Sequence, residues 1–359
     1  MTKVLIINTV QYRLNGISNV IFNLFNETKE EIDYSFVGHT YIDEKFIKMI
    51  NTDKLFMLKD RKKNPLSYFY SLFKLCKNDR FEYIHIHGNS YTVILEIIAS
   101  KLANNSSKII VHTHNTNANK KLFSKFLNFI VFHLSYKRIA CGNEAGLAMY
   151  GDRHFEVINN AIDIDRFKYN KNTRNYLRNK LKIGDSLLLG NIARFNSQKN
   201  QQFLINMMAY NKKVKKISNL KLLLIGDGPN QENLLGLINK YDLSKNIIIL
   251  DPQDDTSGYY SAIDLFLLPS RYEGLPLVLI EAQSASLNSI VSDKVDPDCN
   301  VTKLIKFNSI EDNEMTYNSW LDDIDAARIN LVRNDTSIIL KENGFDLKDN
   351  TKIILELYK

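Results

Sequence analysis

Two glutamates, Glu273 and Glu281, stand eight residues apart in Arg271-Tyr272-Glu273-Gly274-Leu275-Pro276-Leu277-Val278-Leu279-Ile280-Glu281. The Gly-Leu-Pro-Leu segment between them reads as the start of a helix, with Pro276 expected at the first helical position, where its missing N–H costs nothing. Glu273 then lies in the preceding loop and Glu281 in the second helical turn, so both can face the space at the helix N-terminus. That end carries partial positive charge and free N–H groups, and it attracts phosphate. Carboxylates beside phosphate repel it, unless they are there to grip hydroxyls. The combination points to a ligand carrying both hydroxyls and phosphates, such as a sugar nucleotide.

Other chemistry-bearing residues fall at the ends of strand-like runs. Arg194 and Lys199, in Ile192-Ala193-Arg194-Phe195-Asn196-Ser197-Gln198-Lys199-Asn200, offer a fork-shaped donor and a point charge suited to a pyrophosphate. Gly226 and Gly228, in Gly226-Asp227-Gly228-Pro229, allow tight backbone approach to a ligand, although a plain turn between strand and helix explains them equally well. Gly16, ahead of a helix expected from Ser18, allows the same approach; its loop is not GxGxxG, which weakens a dinucleotide-dependent dehydrogenase. His85 and His87 end one run, and His112 and His114 end another. Alternation puts His112 and His114 on one side. Neither Cys nor a nearby carboxylate completes a metal site, so one histidine touching a substrate hydroxyl is favoured and packing explains the rest. Three Asp-x-Asp strings (Asp163/Asp165, Asp296/Asp298, Asp323/Asp325) could hold Mg²⁺ against a diphosphate, but none follows a strong strand, and all read as structural.

The elements that would position these groups alternate. Strand-like runs are Val4–Ile7, Tyr34–Val37, Tyr83–Ile86, Ile109–His112, Ile139–Cys141 and Phe155–Ile158, then Leu187–Asn191, Leu222–Ile225, Ile247–Leu250, Leu265–Leu268 and Ile290–Ser292. Helical periodicity fits residues 19–26, 91–102, 122–134, 201–209, 232–240 and 277–284 between them. This repeated alternation predicts an α/β protein with two doubly wound parallel sheets. The expected domains are 1–162 and 163–345. Residues 346–359 form a C-terminal helix that could belong to either sheet or pack back on the first domain. The polar stretch 163–184 is the best linker candidate.

At 359 residues two domains are expected. Three scattered cysteines argue against a disulfide framework or zinc site and for a reducing compartment. No signal peptide or spanning run of about 18 apolar residues is read, so the expected location is cytoplasmic. The net charge of +7 is uneven: residues 1–165 carry 21 basic against 16 acidic side chains. Lys59, Arg61, Lys62 and Lys63 adjoin the aromatic stretch 65–74, which could meet an anionic membrane surface or be a buried helix. No recognition motif for nucleic acid accompanies the charge.

Together these residues resemble the retaining glycosyltransferases of family 4, which have the GT-B fold: two Rossmann-like domains with a cleft between them. Glu273 and Glu281 match that family's E-x7-E motif, Arg194 with Lys199 its Arg-x4-Lys pair, and Gly226–Pro229 its Gly-x-Gly-Pro loop. His112 matches its histidine near the transferred sugar, and Val157–Asp163 resembles its Val-Ile-Pro-Asn-Gly-x-Asp boundary segment. Asn159 and Ala161 replace the Pro and Gly there, and Ser286-Leu287-Asn288 stands where the family has Gly-x-Pro.

Carried over, the resemblance implies that Glu281 accepts from the ribose diol and Glu273 contacts the donor sugar. Backbone at Gly274, Leu275, Pro276 and Leu277 would help to hold sugar and phosphate, while Arg194 and Lys199 stabilise the departing diphosphate. His112 and Gly16 would come from an acceptor-binding first domain. It further implies a nucleotide-sugar donor, UDP-linked, with no metal requirement, and a lipid-linked glycan acceptor in capsular or exopolysaccharide biosynthesis. The nearest likeness is to bacterial exopolysaccharide and capsule enzymes, through His85-Ile86-His87-Gly88-Asn89 and His112-Thr113-His114-Asn115. Competing readings are a GT-B sugar-nucleotide epimerase and a non-catalytic nucleotide-binding partner of another transferase.

Overall fold

The computed structural model describes residues 1–12, 16–39, 41–50, 52–114, 124–329 and 331–359. The chain divides into two compact units, Met1–Ala161 with Leu347–Lys359, and Ile162–Asp346.

The first unit runs β1 (Thr2–Asn8), α1 (Gly16–Thr28), β2 (Ile32–His39), α2 (Glu44–Met49), β3 (Leu55–Leu58), α3 (Pro65–Asp79), β4 (Tyr83–His87), α4 (Ile94–Ala103), β5 (Lys108–Thr113), α5 (Ser124–Leu134), β6 (Lys137–Ala140), α6 (Asn143–Tyr150) and β7 (Glu156–Val157). The second runs α7 (Ile164–Phe167), α8 (Lys171–Lys180), β8 (Leu187–Ile192), α9 (Gln201–Val214), β9 (Leu220–Ile225), α10 (Gln231–Lys240), β10 (Ile247–Leu250), α11 (Ser257–Ala262), β11 (Leu265–Leu268), α12 (Leu277–Ser284), β12 (Ser289–Ser292), β13 (Ile305–Asn308), α13 (Glu314–Ala327) and α14 (Ser337–Glu342). The last helix, α15 (Leu347–Leu357), returns to the first unit.

Both sheets are parallel, ordered β3-β2-β1-β4-β5-β6-β7 and β10-β9-β8-β11-β12-β13. Helices cover both faces of such sheets, so their strands become apolar on both sides. Along β1, Leu5 and Ile7 join one core cluster while Val4 and Ile6 join the other. Along β9, Leu222 and Leu224 face one cluster, Leu223 and Ile225 the opposite one. In each sheet the strand order reverses beside its first strand, between β1 and β4 and between β8 and β11. Open α/β sheets bind ligands beyond the carboxyl ends of the strands at such reversals.

Two edge strands, β3 and β13, escape the sequence pattern. Each is four residues long and only partly buried, and Lys306 interrupts the apolar run of β13. Residues 163–184 are not a linker. They form α7 and α8, anchored by buried Ile164, Phe167 and Leu177, and Arg174 and Arg178 both hold the buried Asp264 carboxylate. With Ile183 the stretch holds four buried apolar residues, too sparse a signal among polar ones to mark a packed segment. The aromatic stretch 65–74 begins α3, which buries Tyr68, Leu72, Leu75 and Cys76 while leaving Leu66 and Tyr70 exposed. No helix among the described residues is long and apolar enough to cross a membrane.

Candidate functional site

At the β8/β11 reversal of the second unit, two loops are stitched together. Asn196 Oδ1 accepts from the Lys199 N–H (2.9 Å), closing a tight turn after β8. Asn200 then adopts a left-handed conformation (φ 56°), which asparagine tolerates better than most residues. Its side-chain amide donates to the Pro269 carbonyl (3.2 Å). The Arg271 N–H donates to the Gln198 carbonyl (2.8 Å), and the Gln198 amide donates to the Tyr272 carbonyl (3.0 Å). The Glu273 carbonyl accepts from the Asp296 N–H (3.1 Å), pinning this loop on its other side. The result is an ion pair between Lys199 Nζ and Glu273 Oε1, both largely buried. Arg194, on the same β8 loop, is exposed, with no ion-pair partner among the described residues.

Helix α12 follows. Pro276 is its N-cap rather than its first helical residue, with ψ 119° outside the helical range. A proline can hold either place, because neither needs its N–H. The N–H groups of Gly274, Leu275, Leu277 and Val278 find no acceptor among the described residues, and these residues keep partial exposure. Pro276 has none to offer. Glu281 sits in the second turn and accepts from the buried Tyr260 hydroxyl (2.5 Å). Desolvation pushes its carboxyl up to about 7, against the lowering effects of the Tyr260 hydrogen bond and the Arg166 charge.

Gly226 and Gly228 serve the neighbouring loop. Their φ values are 151° and 148°, and a Cβ at either would lie 2.1 Å from the Ala193 carbonyl oxygen or 2.3 Å from that of Phe195. Phe195 N–H donates to the Asp227 carbonyl (2.5 Å), and Asn230 N–H donates to the Phe195 carbonyl (3.1 Å). The glycines thus let the loop after β9 buttress the loop that carries Arg194.

In the first unit, four histidines form a column, His85 and His87 on β4, His112 on β5 and His114 just beyond it, with His87 in register with His112. Ring centroids of neighbours lie 4.2–5.5 Å apart with interplanar angles of 14–33°. His85 Nδ1 contacts the Tyr358 hydroxyl (2.6 Å), His87 Nδ1 contacts His114 Nε2 (2.9 Å), and His114 Nδ1 donates to Asn160 Oδ1 (3.0 Å). Desolvation lowers all four, His85 to about 3 and His114 to about 4, so the imidazoles are neutral. His112 is buried, and its ring nitrogens have no hydrogen-bond partner among the described residues. His114, just past the strand, keeps partial exposure.

Ligand atoms of His85, His87 and His112 lie within 4.8 Å of one another. Tetrahedral zinc needs imidazole nitrogens converging at about 3.3 Å. Near-parallel rings direct their lone pairs side by side instead. Gly16 opens α1, and the loop ahead of it, residues 13–15, lies outside the described residues.

The Asp-x-Asp strings are engaged locally. Asp163 and Asp296 cap the turns that follow them, Asp323 holds Lys306 and Asn308, and Asp325 holds Arg328. Sequence reasoning missed Tyr260 and Asn200. A tyrosine 21 residues upstream of its carboxylate has no local signature, whereas an asparagine between a strand and a helix is a readable turn residue.

Two parallel-sheet α/β units of this topology, with anion-seeking groups at a strand-order reversal, define a GT-B protein. Structures of this fold include Anabaena Alr3699/HepE, solved in complex with UDP and with UDP-glucose; for the UDP complex the TM-score is 0.77 at 16% identity over 99% of both chains. Residues 173–307 match the family described as glycosyl transferases group 1, and the chain carries a domain of that group. Along most of its length it is similar to a Bacillus subtilis protein designated glycosyltransferase EpsF (26% identity, 78% of this chain and 76% of that one). It is likewise similar to the Escherichia coli UDP-Gal:alpha-D-GlcNAc-diphosphoundecaprenol alpha-1,3-galactosyltransferase (28%, 80% and 78%) and to the Staphylococcus aureus capsular polysaccharide biosynthesis glycosyltransferase CapH (23%, 81% of each).

Proposed function

We propose that this glycosyltransferase moves a sugar, with retention, from a UDP-linked donor to a lipid-linked glycan during synthesis of a capsular or exopolysaccharide, without a metal. The observation that carries the reading is the Lys199–Glu273 ion pair beside the free N–H groups that precede and open α12. It holds a cation for a diphosphate and a carboxylate for sugar hydroxyls at one place. The names of the E. coli and S. aureus relatives, and the UDP complexes of the Anabaena protein, support donor, acceptor and pathway class.

In this reading the bond from the sugar's C1 to the phosphate oxygen breaks as a bond from C1 to the acceptor oxygen forms on the same face. The leaving diphosphate gains negative charge and takes the acceptor's proton. Lys199 and Arg194 oppose that growing charge, with the N–H groups of Gly274, Leu275 and Leu277. Preorganised donors aimed at developing charge are the largest expected contribution to such catalysis. Glu273 grips the donor sugar, Glu281 the ribose diol. The first unit binds the acceptor, and His112, a neutral imidazole whose ring nitrogens have no partner among the described residues, is the histidine assigned to the transferred sugar. The exposed Lys59, Lys62 and Lys63 and the exposed Leu66 and Tyr70 of α3 seat it on an anionic membrane surface at the cytoplasmic side.

The test is a turnover assay with UDP-, GDP-, ADP- and TDP-sugars, with and without lipid-linked acceptor. Lys199→Ala should lower turnover at least a hundredfold, as loss of one transition-state donor does, and Glu273→Ala, which removes the acceptor for the sugar hydroxyls, should also remove most turnover, with melting still cooperative in both. Full activity in both variants refutes the assigned site. Donor conversion without acceptor would establish the epimerase instead.

A further inference from the structure

We infer that Tyr260 is a positioning residue that locks the Glu281 carboxylate in the orientation needed to receive the ribose diol of the donor; this rests on the role proposed above for Glu281. The geometry is specific. Tyr260 is fully buried, and its ring is held against Phe167 (centroids 5.7 Å) and Phe266 (5.6 Å). Its hydroxyl meets Glu281 Oε2 at 2.5 Å. Burial raises the phenol's pKa well above its ordinary value, so it stays a donor at every working pH. By donating to Oε2 the hydroxyl stabilises the charged carboxylate and leaves the Oε1 lone pairs for two ribose hydroxyls. Without that bond Glu281 would be a flexible side chain in a desolvated recess, free to protonate or turn.

The surroundings leave few other groups to do this. From α7, Arg166 acts on Glu281 through its charge alone and is itself bonded to Asp255 (3.1 Å). From α11, Tyr259 is turned to Gln253 (3.0 Å). From α14, Lys341 bonds Asp346 (3.3 Å). Among the described residues Tyr260 supplies the one side-chain hydrogen bond recorded for Glu281.

The experiment measures binding of UDP-glucose, whose diphosphate does not itself titrate near neutrality, and of its 2′-deoxyribose analogue, from pH 5.5 to 9. The full chain is used, as wild type, Tyr260→Phe, Glu281→Gln and Tyr259→Phe. In the wild type, UDP-glucose affinity should fall as pH drops through about 7, where the Glu281 carboxyl takes up its proton, and the deoxy analogue should bind more weakly. Tyr260→Phe should bind roughly tenfold more weakly at pH 8, the scale of one charge-assisted hydrogen bond. Its midpoint should move to higher pH, because the bond that lowered the carboxyl's pKa is gone, and its preference for ribose should shrink. Tyr259→Phe should match the wild type. Glu281→Gln should bind weakly without pH dependence. If Tyr260→Phe keeps the wild-type midpoint and ribose preference while Glu281→Gln loses both, the positioning role is overturned and the Glu281 role stands. If Glu281→Gln matches the wild type, or the wild type does not bind UDP-glucose, the reading beneath the inference falls.

Discussion

Replacing Gly228 with alanine tests what the glycine loop is for. The new Cβ would lie 2.3 Å from the Phe195 carbonyl oxygen and 2.9 Å from its carbonyl carbon and nitrogen, and contacts under 3.0 Å are essentially never seen for real Cβ atoms. The loop carrying Arg194 must therefore retreat by roughly 0.7 Å, taken as 3.0 less 2.3 Å, and the atom in the way is backbone in a close-packed interior, which resists movement. A side chain at φ 148° costs about 1–3 kcal/mol. Loss of the Asn230-to-Phe195 hydrogen bond adds about 1 kcal/mol. The total, about 2–4 kcal/mol, corresponds to a melting temperature lower by about 4–16 °C for a unit of this size. Scanning calorimetry of the ligand-free chain reads this directly, and turnover should fall with it as the cationic loop shifts. If the glycine were there only to admit a ligand, no carbonyl would be displaced and the melting temperature would fall by the backbone strain alone, while affinity was lost. An unchanged melting temperature would refute the buttress.

Two further outcomes follow from buried charges. The Glu281 carboxyl has a native pKa of about 7 against an ordinary 4.5, so the folded state holds a proton the unfolded chain has lost between those values. Its contribution to stability is complete below pH 4.5 and is lost as pH rises through 7, by at most about 3.4 kcal/mol at 1.36 kcal/mol per unit, less because the residue keeps some exposure. Glu281→Gln should therefore flatten the fall in unfolding free energy between pH 5 and 8, and parallel curves for variant and wild type would contradict it. In the first unit, Glu96 is fully buried against Arg61, with Nε–Oε1 at 2.8 Å and Nη2–Oε2 at 3.0 Å. Arg61→Met should cost about 3–5 kcal/mol by leaving that charge unpaired, measured as a lower urea midpoint; Arg61→Met with Glu96→Gln should recover part of it, and a neutral single variant would count against the pair.

Sequence alone determined the twofold alternation of strands and helices, because parallel strands covered on both faces must be apolar throughout, and that pattern is local. It also placed Arg194, Lys199, Glu273 and Glu281 after or beyond strand ends, where open sheets bind ligands. It did not show that residues 163–184 fold as α7 and α8, since four buried apolar residues among polar ones look like solvated chain. The edge strands β3 and β13, half-covered and short, were equally silent. Only the tertiary structure decided that Lys199 pairs with Glu273, that Tyr260 holds Glu281, that Gly226 and Gly228 receive a neighbouring loop, and that α15 returns to the first unit, with Tyr358 on His85. Each of these joins residues far apart in the chain. Local pattern records how much of a side chain is buried; which partner it meets there is fixed only when the sheet order brings distant loops together.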